Sequence, residues 1–310
     1  MKKKTFITLA AVCMAMAANA TILRVSNVTG SSAPYSDLQV ALDAAVDGDT
    51  IMLDGSKDQY GGSNANYYVG KKIVLLGPGY WLNDNGIVQE AANHARISKI
   101  FLDAEGIVLK GLDIWRIYVR APKTVINRCI VTEISLQEWN DVPERVNTDN
   151  TIISQNFIYE SLYCGKGSYT QVTNNIFQSN NGNNRHELKD SYIAYNTFRI
   201  GEVPLMYVYN STIEHNVWNR LNDRIGEGNS FDDNYVSSVY ISATDGFIDK
   251  DYYEVELPEG IKENYGAFAG DSPYVLSGIP AAPVIQDLVM PTTVEKGKKM
   301  NVTIKVGVQK

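Results

Sequence analysis

A six-residue pattern that recurs through the middle of the chain constrains the fold more than any other feature. It consists of an apolar residue, two further residues, an asparagine, one residue and a second apolar residue. The asparagines follow one another at spacings of 19, 21, 20 and 18 residues: Asn156, Asn175, Asn196, Asn216 and Asn234. A period near 20 residues is too short for repeats of paired helices, but it suits one coil of a solenoid built from short strands.

Stacked coils would bring the five asparagines into contact. Strands in neighbouring coils lie about 4.8 Å apart, so equivalent side-chain amides can bond to one another in a ladder. Asparagine also tolerates left-handed backbone angles, which suits a sharp bend. We therefore predict an all-β fold, a right-handed parallel β-helix of single-stranded solenoid type, in which the asparagines are structural and their apolar neighbours face inward.

The coils that precede the asparagine repeat are less regular. Apolar segments at 100–103, 107–112, 117–119 and 125–130 recur with offsets of 17 and 18 residues. The spacing then stretches to 29 residues between Asn127 and Asn156, and the excess is a polar loop around 136–145. An insertion in a coil must bulge outward, and such bulges often line a binding face. We therefore assign Trp139, in this loop, to ligand binding.

The two ends of the repeat region carry segments of a different kind. Ser36-Asp-Leu-Gln39 is a capping-box signature that predicts a helix, which Gly48 ends. Its apolar face is Leu38, Ala41, Leu42, Ala45 and Val46. Strands are expected at 22–25, 50–53 and 72–76, from their apolar, β-branched composition. The helix should therefore cap the first coil, within a domain that spans 21–245.

The repeat stops near residue 246. A stretch with many glycines and prolines predicts an irregular C-terminal cap over 246–280. Three prolines, Pro280, Pro283 and Pro291, predict a linker, and 301–306 alternates like one final strand. A single strand is not a domain. Within 281–310 we thus expect a linker and a strand that pairs with the body or is the stub of a lost module.

Residues 1–20 have the features of a secretory signal peptide. Three lysines precede an apolar run at 6–17, which is too short to span a bilayer, and Ala18-Asn19-Ala20 provides a cleavage site. A lipoprotein modified at Cys13 is the alternative. We expect a secreted protein, in the periplasm, on the cell surface or outside the cell, with no membrane span. Cys129 and Cys164 are expected to be buried free thiols, with a disulfide as the alternative.

The opening of this domain resembles pectin-lyase-like β-helix proteins. The likeness lies in the strand, the amphipathic helix, Asp47-Gly48-Asp49-Thr50-Ile51, the polar loop with Tyr60 and the strand that ends at Gly77. It extends over roughly 21–245 and implies a secreted bacterial repeat protein with a polysaccharide partner. The superfamily includes lyases, glycosidases, esterases, epimerases and non-enzymatic adhesins, so the resemblance implies a fold and no particular reaction.

Alignment of the coils on their asparagines predicts one outward cluster. If Leu188 faces inward, Glu187 and Lys189 face outward; one coil later an inward Val208 leaves Tyr207 and Tyr209 outward beside them. For a lyase reaction we assign catalysis to Lys189, Arg185 and Glu187, with Lys189 as the base and Arg185 lowering its proton affinity. Substrate binding is assigned to the residues around them and to the polar loop: Tyr207, Tyr209, Arg224, Glu227 and Trp139. The alternative is an ordinary solvated strand face whose charges pair across coils.

Charge and spacing restrict the partners further. A net charge of −7 disfavours nucleic acid. The histidines His94, His186 and His215 lack metal-ligand spacing, and no cluster of outward aspartates is evident, so we predict no metal site and no cofactor; Ca²⁺ stays open for a lyase reaction. We expect a monomer that either cleaves polysaccharide, as a lyase or a glycoside hydrolase, or binds glycan without catalysis.

Overall fold

A computed structural model describes residues 20–85, 93–136, 147–164, 169–178, 187–199, 207–218, 226–237, 248–254, 257–280, 283–289 and 302–308. Within these ranges the protein is all-β, with two long sheets in which every strand pairs in parallel. The helices are short and few: α1 (Leu38–Ala44), α2 (Asp249–Glu254), α3 (Ile261–Asn264) and a 3-10 turn at Leu276–Gly278.

Sheet A is formed by short parallel strands. In spatial order they are β1 (Ile22–Val25), β2 (Thr50–Leu53), β4 (Val74–Leu76), β6 (Val108–Lys110), β8 (Val125–Asn127), β10 (Ile152–Ser154), β12 (Gln171–Thr173), β15 (Tyr192–Ala194), β18 (Thr212–Glu214) and β20 (Ser230–Phe231). The predicted bounds of the first two strands, 22–25 and 50–53, are confirmed.

Sheet B contains the strands that follow those of sheet A along the chain. In spatial order they are β3 (Asn66–Val69), β5 (Arg96–Leu102), β7 (Asp113–Val119), β9 (Ile130–Leu136), β11 (Phe157–Cys164), β13 (Ile176–Phe177), β16 (Thr197–Phe198), β19 (Val217–Trp218) and β21 (Tyr235–Val236). Two smaller sheets are a parallel pair, β14 (Glu187–Lys189) with β17 (Tyr207–Tyr209), and an antiparallel pair, β22 (Pro283–Val289) with β23 (Thr303–Val308).

From β4 onward the chain alternates between the two long sheets, and each return places the new strand beside the previous one of that sheet. We call one sheet-A strand and the sheet-B strand that follows it a coil. This stacked, all-parallel arrangement is compatible with the predicted β-helix. The core lies between the sheets, because the central residue of successive sheet-A strands is apolar and buried: Ile51, Leu75, Leu109, Ile126, Ile153, Val172, Ile193 and Ile213.

The asparagine ladder is confirmed. Asn175 Oδ1 accepts hydrogen bonds from the backbone N–H of Asn156 at 2.9 Å and from its Nδ2 at 3.0 Å. Asn196, Asn216 and Asn234 each do the same for the asparagine of the preceding coil. The second N–H of each amide donates to a backbone carbonyl of the preceding coil, as from Asn175 to Ile153 O at 2.8 Å. The buried amides are therefore satisfied, as buried polar groups must be.

The left-handed residue at each bend is not the ladder asparagine, so that part of the prediction is wrong. It is the residue immediately before: Gln155 (φ 57°), Asn174 (φ 56°), Tyr195 (φ 55°), His215 (φ 54°) and Asp233 (φ 47°). The left-handed residue turns the chain, and the asparagine that follows directs its amide along the stack. A bend position thus needs two residues with separate tasks.

A second polar ladder, which the sequence pattern does not reveal, lies at the bend that leads into sheet A. Ser211 Oγ accepts from the Ser191 N–H at 2.9 Å, and Asn229 Oδ1 accepts from the Ser211 N–H at 2.8 Å. Left-handed residues again come directly before, at Asp190 (φ 49°) and Asn210 (φ 50°). Both bends of the later coils are therefore held by side-chain acceptors.

Helix α1 packs against the first coils as predicted, with two local differences. Its N-cap is Asp37, whose carboxylate accepts from the Val40 N–H at 3.1 Å, in place of Ser36. Leu38, Ala41 and Leu42 are buried, but Val46 is 53% exposed, so its assignment to the apolar face is wrong. The helix ends at Ala44, and Val46 then donates its N–H to Asp49 Oδ2 at 2.8 Å in a turn.

The predicted C-terminal cap contacts the side of the stack over several coils. We call residues 257–280 the strap. Its partners include the left-handed bend residues: Arg128 donates to Ile279 O, Gln155 to Pro273 O and Asn174 to Ala269 O, while Tyr265 donates to Asp233. The strap therefore runs back along the bends from a late coil to an early one.

A buried carboxylate joins the strap to the early part of the chain. Asp249 is 0% exposed and accepts hydrogen bonds from Asn85 Nδ2 at 2.8 Å, the Ser277 N–H at 2.6 Å and Tyr274 Oη at 3.2 Å. Burial raises the pKa of Asp249, and these donors only partly offset that effect. Three segments far apart in sequence thus meet at one carboxylate.

The chain after the strap differs from the predicted linker. Pro283–Val289 is strand β22, and it pairs antiparallel with β23, so that Val284 faces Gly307 and Leu288 faces Ile304. The terminal strand therefore has a partner that comes before it in the same segment. Pro283 is the first residue of its strand, a position where the missing N–H is tolerated.

Candidate functional site

The cluster predicted around Lys189 lies on the pair β14–β17. Glu187 pairs with Tyr207 and Lys189 pairs with Tyr209 in parallel register, so this pairing is confirmed. Leu188 is 3% exposed and Val208 0%, which confirms that these two residues face inward. The outward positions are those predicted, while the roles assigned to them stay predictions.

A third residue continues this arrangement on the next coil. The Asp190 N–H donates to Tyr209 O at 3.0 Å, and the Asn210 N–H donates to Glu227 O at 3.1 Å. These equivalent bonds place Glu227 beside Tyr209, as Tyr209 lies beside Lys189. We call Lys189, Tyr209 and Glu227 the Lys189 row; all three side chains are exposed.

Other parts of the predicted cluster lie outside the described residues. These are Arg185, Arg224 and Trp139, together with the side chains of Glu187 and Tyr207, whose backbone alone is described. The proposed effect of Arg185 on Lys189 is therefore still a prediction. What the structure brings together is one cation, one ring and one carboxylate on three successive coils.

The Lys189 row has the chemistry of a shallow sugar-binding surface. Tyr209 is 40% exposed, and its ring is flanked along the stack by an ammonium on one side and a carboxylate on the other. Exposed rings can stack on the apolar face of a sugar, while charged groups form hydrogen bonds with its hydroxyls. The row runs along the stack, which is the direction in which a chain ligand could contact all three residues.

A second exposed cluster, which the sequence reasoning missed, lies on the outer face of sheet B. Tyr68, Phe101 and Tyr118 occupy paired positions on β3, β5 and β7. Their rings stack with centroids 4.8 and 4.7 Å apart and with interplanar angles of 11° and 9°. Tyr68 ends this stack and is 51% exposed.

Trp115 lies on the same face, between two cations. Its ring centroid is 5.2 Å from Lys99 Nζ and 4.5 Å from Arg116 Cζ, and its side chain is 41% exposed. Lys99 and Arg116 occupy paired positions on β5 and β7. We call these six residues the Trp115 face: Tyr68, Lys99, Phe101, Trp115, Arg116 and Tyr118. Its sequence signal was an excess of outward aromatic residues in the early coils, but without asparagines their register could not be assigned.

The described histidines have structural partners. His94 Nδ1 lies 2.9 Å from Asp113 Oδ2, and its Nε2 accepts from the Trp81 N–H at 3.0 Å. His215 stacks on Tyr195 with ring centroids 4.9 Å apart. Among the residues that the structure describes, no three His, Cys, Asp or Glu side chains are grouped so as to hold a metal ion. Cys129 is a free, buried cysteine, as predicted.

Comparisons with protein-family models, with curated proteins and with solved structures gave no match for this chain. In the described part of the chain no helix combines the length and apolar character needed to cross a membrane.

Proposed function

We propose that this protein is a secreted right-handed parallel β-helix, similar to pectin-lyase-like proteins, that binds polysaccharide along the outside of its stack. The observation that carries the proposal is the Lys189 row, in which an exposed tyrosine ring lies between a cation and an anion on adjacent coils. The row follows the axis of the stack, so one extended glycan could meet all three side chains. We assign sugar stacking to Tyr209 and hydroxyl contacts to Lys189 and Glu227.

Support for secretion comes from residues 1–20, with their lysines, apolar run and small residues before the expected cleavage site. The proposed superfamily resemblance rests on the segment from helix α1 to Gly77, together with the all-parallel stacking of strands. A monomer is proposed because the stack presents its charged outer faces to solvent.

A lyase reaction is the second candidate, and Lys189 is the observation that favours it. An exposed amine beside a sugar-stacking ring is placed to remove the proton next to a uronate carboxyl group. The elimination would then release an unsaturated sugar that absorbs in the ultraviolet. Arg185 and Glu187 keep their assigned roles in this candidate.

The proposal is tested by measuring binding to a panel of neutral and acidic polysaccharides by affinity electrophoresis. Tyr209→Ala should weaken binding about tenfold, the usual loss when a central aromatic contact is removed, whereas Tyr209→Phe should retain it because the ring is kept. Tyr253→Ala is the matched control, since Tyr253 is an exposed tyrosine (47%) on helix α2. Equal binding by Tyr209→Ala and Tyr253→Ala would contradict the proposal.

The same panel separates binding from turnover. Incubation with each polysaccharide should leave the ultraviolet absorbance unchanged if the protein only binds. A steady rise that disappears in Lys189→Ala, with the thermal midpoint retained, would establish the lyase candidate in its place.

A further inference from the structure

The Trp115 face differs in charge from the rest of the molecule. The chain carries a net charge of −7, yet this face places Lys99 and Arg116 side by side on paired strand positions. Arg116 Nε lies 3.3 Å from Glu133 Oε2, so one cation has an anionic neighbour. Within the described residues Lys99 has no ion-pair partner, and its ammonium faces the ring of Trp115 at 5.2 Å.

Hydrogen bonding leaves a further donor available at this place. Arg116 Nε has a suitable distance to Glu133 but not the direction of a hydrogen bond, and it is buried without another acceptor among the described residues. A guanidinium with an unused donor and an ammonium on the adjacent strand together form a site with two positive charges. Such a pair attracts an oxyanion, and the low charge of its immediate surroundings does not oppose it.

The aromatic residues define what the oxyanion is attached to. Trp115 exposes 41% of its surface beside the two cations, and the stacked rings of Tyr68, Phe101 and Tyr118 lie two residues further along the same strands. An indole ring presents a flat apolar surface that suits the face of a sugar ring. The cation–π contacts of Lys99 and Arg116 fix the ring orientation before any ligand arrives.

We propose that the Trp115 face is a second ligand site, which takes a sugar bearing an oxyanion. The oxyanion bonds to Lys99 and Arg116 while the sugar ring stacks on Trp115. The sugar part of this inference rests on the proposed polysaccharide function, whereas the oxyanion part depends only on the two cations. A carboxylate and a sulfate ester share this chemistry, so either can supply the group.

The test is a titration of the full chain with three polymers, followed by tryptophan fluorescence and by affinity electrophoresis. Dextran is neutral, polygalacturonate carries carboxylates, and dextran sulfate carries sulfate esters. At least one acidic polymer should bind about tenfold more tightly than dextran and change the fluorescence, and this preference should fall as salt is added. Binding of polygalacturonate alone would assign a carboxylate, and binding of dextran sulfate alone would assign a sulfate ester.

Variants locate the site. The double variant Lys99→Gln with Arg116→Gln should lose the tenfold preference, while Lys110→Gln should keep it, because Lys110 is a partly exposed lysine on β6 in the other long sheet. The thermal midpoint of each variant shows whether it is folded, and Trp115→Phe should remove the fluorescence change while the fold is kept. The proposal is overturned if no acidic polymer binds better than dextran, or if the double variant binds as Lys110→Gln does.

The two proposals fail in different ways. Loss of binding in Tyr209→Ala alone concerns the Lys189 row, and loss of the acidic preference in the double variant alone concerns the Trp115 face. An acidic polymer that binds unaltered Tyr209→Ala with full affinity would leave the second site standing and remove the first.

Discussion

The early and the late coils of this stack hold their neighbours in different ways. In the early coils the sheet-B strands β5, β7 and β9 are each 7 residues long. In the late coils β13, β16 and β19 contain 2 residues each. The bend position that holds a ladder asparagine in the late coils is occupied in the early coils by Leu112 and Cys129, both buried.

This difference shows that backbone pairing and side-chain pairing can replace one another in a stacked fold. Seven paired residues supply a long run of interstrand backbone bonds, so the bend can be apolar. Where the strand is cut to two residues, each asparagine accepts two hydrogen bonds from the coil before it. The change occurs between Cys129 and Asn156, where the Cys129 N–H donates to Asn156 Oδ1 at 2.9 Å.

Stacked rings add to the late coils what their short strands lack. Phe177 and Phe198 lie with ring centroids 4.7 Å apart, and Phe198 and Trp218 with centroids 3.9 Å apart. All three side chains are buried within the core. The late coils therefore depend on two columns of side chains, one of amides and one of rings, in place of a long sheet.

The largest expected effect is that of breaking the amide ladder. Asn196→Ala removes the acceptor of both the Asn175 N–H and its Nδ2, which lie 2.9 and 3.0 Å from Asn196 Oδ1. Each buried donor left without a partner costs about 1–3 kcal/mol, so the free energy of unfolding should fall by about 3 kcal/mol or more. Chemical denaturation measures it.

The control for this variant is Asn66→Ala, since Asn66 is an exposed asparagine on β3. Its free energy of unfolding should change by less than about 0.5 kcal/mol, as for most surface substitutions. If both variants lost the same amount, the ladder would not be what holds the late coils.

A smaller effect is expected at the equivalent bend of an early coil. Cys129→Ala should cost about 1–2 kcal/mol, because it removes one buried sulfur and leaves no donor of another coil without an acceptor. The Cys129 thiol itself makes only a 3.4 Å contact to Asn127 O. Denaturation of this variant beside Asn196→Ala measures the comparison directly, and a cost at Cys129 equal to that at Asn196 would contradict it.

How far the sequence could predict the molecule follows from the same difference. The late coils repeat an asparagine, so their register, their inward residues and the pairing of Lys189 with Tyr209 could be predicted. The early coils lack that marker, and Trp115 therefore could not be placed beside Lys99. A strand face becomes visible as a site only when its register is known.

The strap shows a second limit of sequence reasoning. Its contacts join the side chains of Gln155 and Asn174 to backbone carbonyls of the strap. Backbone carbonyls are present in every residue, so no pattern of side chains marks which segment will receive such donors. The glycines and prolines of 257–280 predict an irregular segment, but they do not indicate which surface it follows.

The smallest effects should appear in the pH dependence of two carboxylates at opposite ends of the chain. Burial raises the pKa of Asp249, while backbone N–H groups of Thr21 and Val46 lower the pKa of Asp49. Asp249 therefore adds stability below its ordinary pKa of about 3.9, and that stability is lost as pH rises through its folded pKa. Asp49 adds stability above about pH 3.9 that is lost as pH falls through its folded pKa.

Thermal midpoints of Asp249→Asn and Asp49→Asn, each compared with the unaltered protein across the acidic range, measure these opposite effects. As pH rises through the raised pKa of Asp249, Asp249→Asn should gain stability relative to the unaltered protein, because asparagine carries no buried charge. As pH rises through the lowered pKa of Asp49, Asp49→Asn should lose relative stability, because only a carboxylate gains from the two N–H donors. Slopes of the same sign would show that the early and late regions do not differ in this respect, and that the burial of Asp249 by the strap is incomplete.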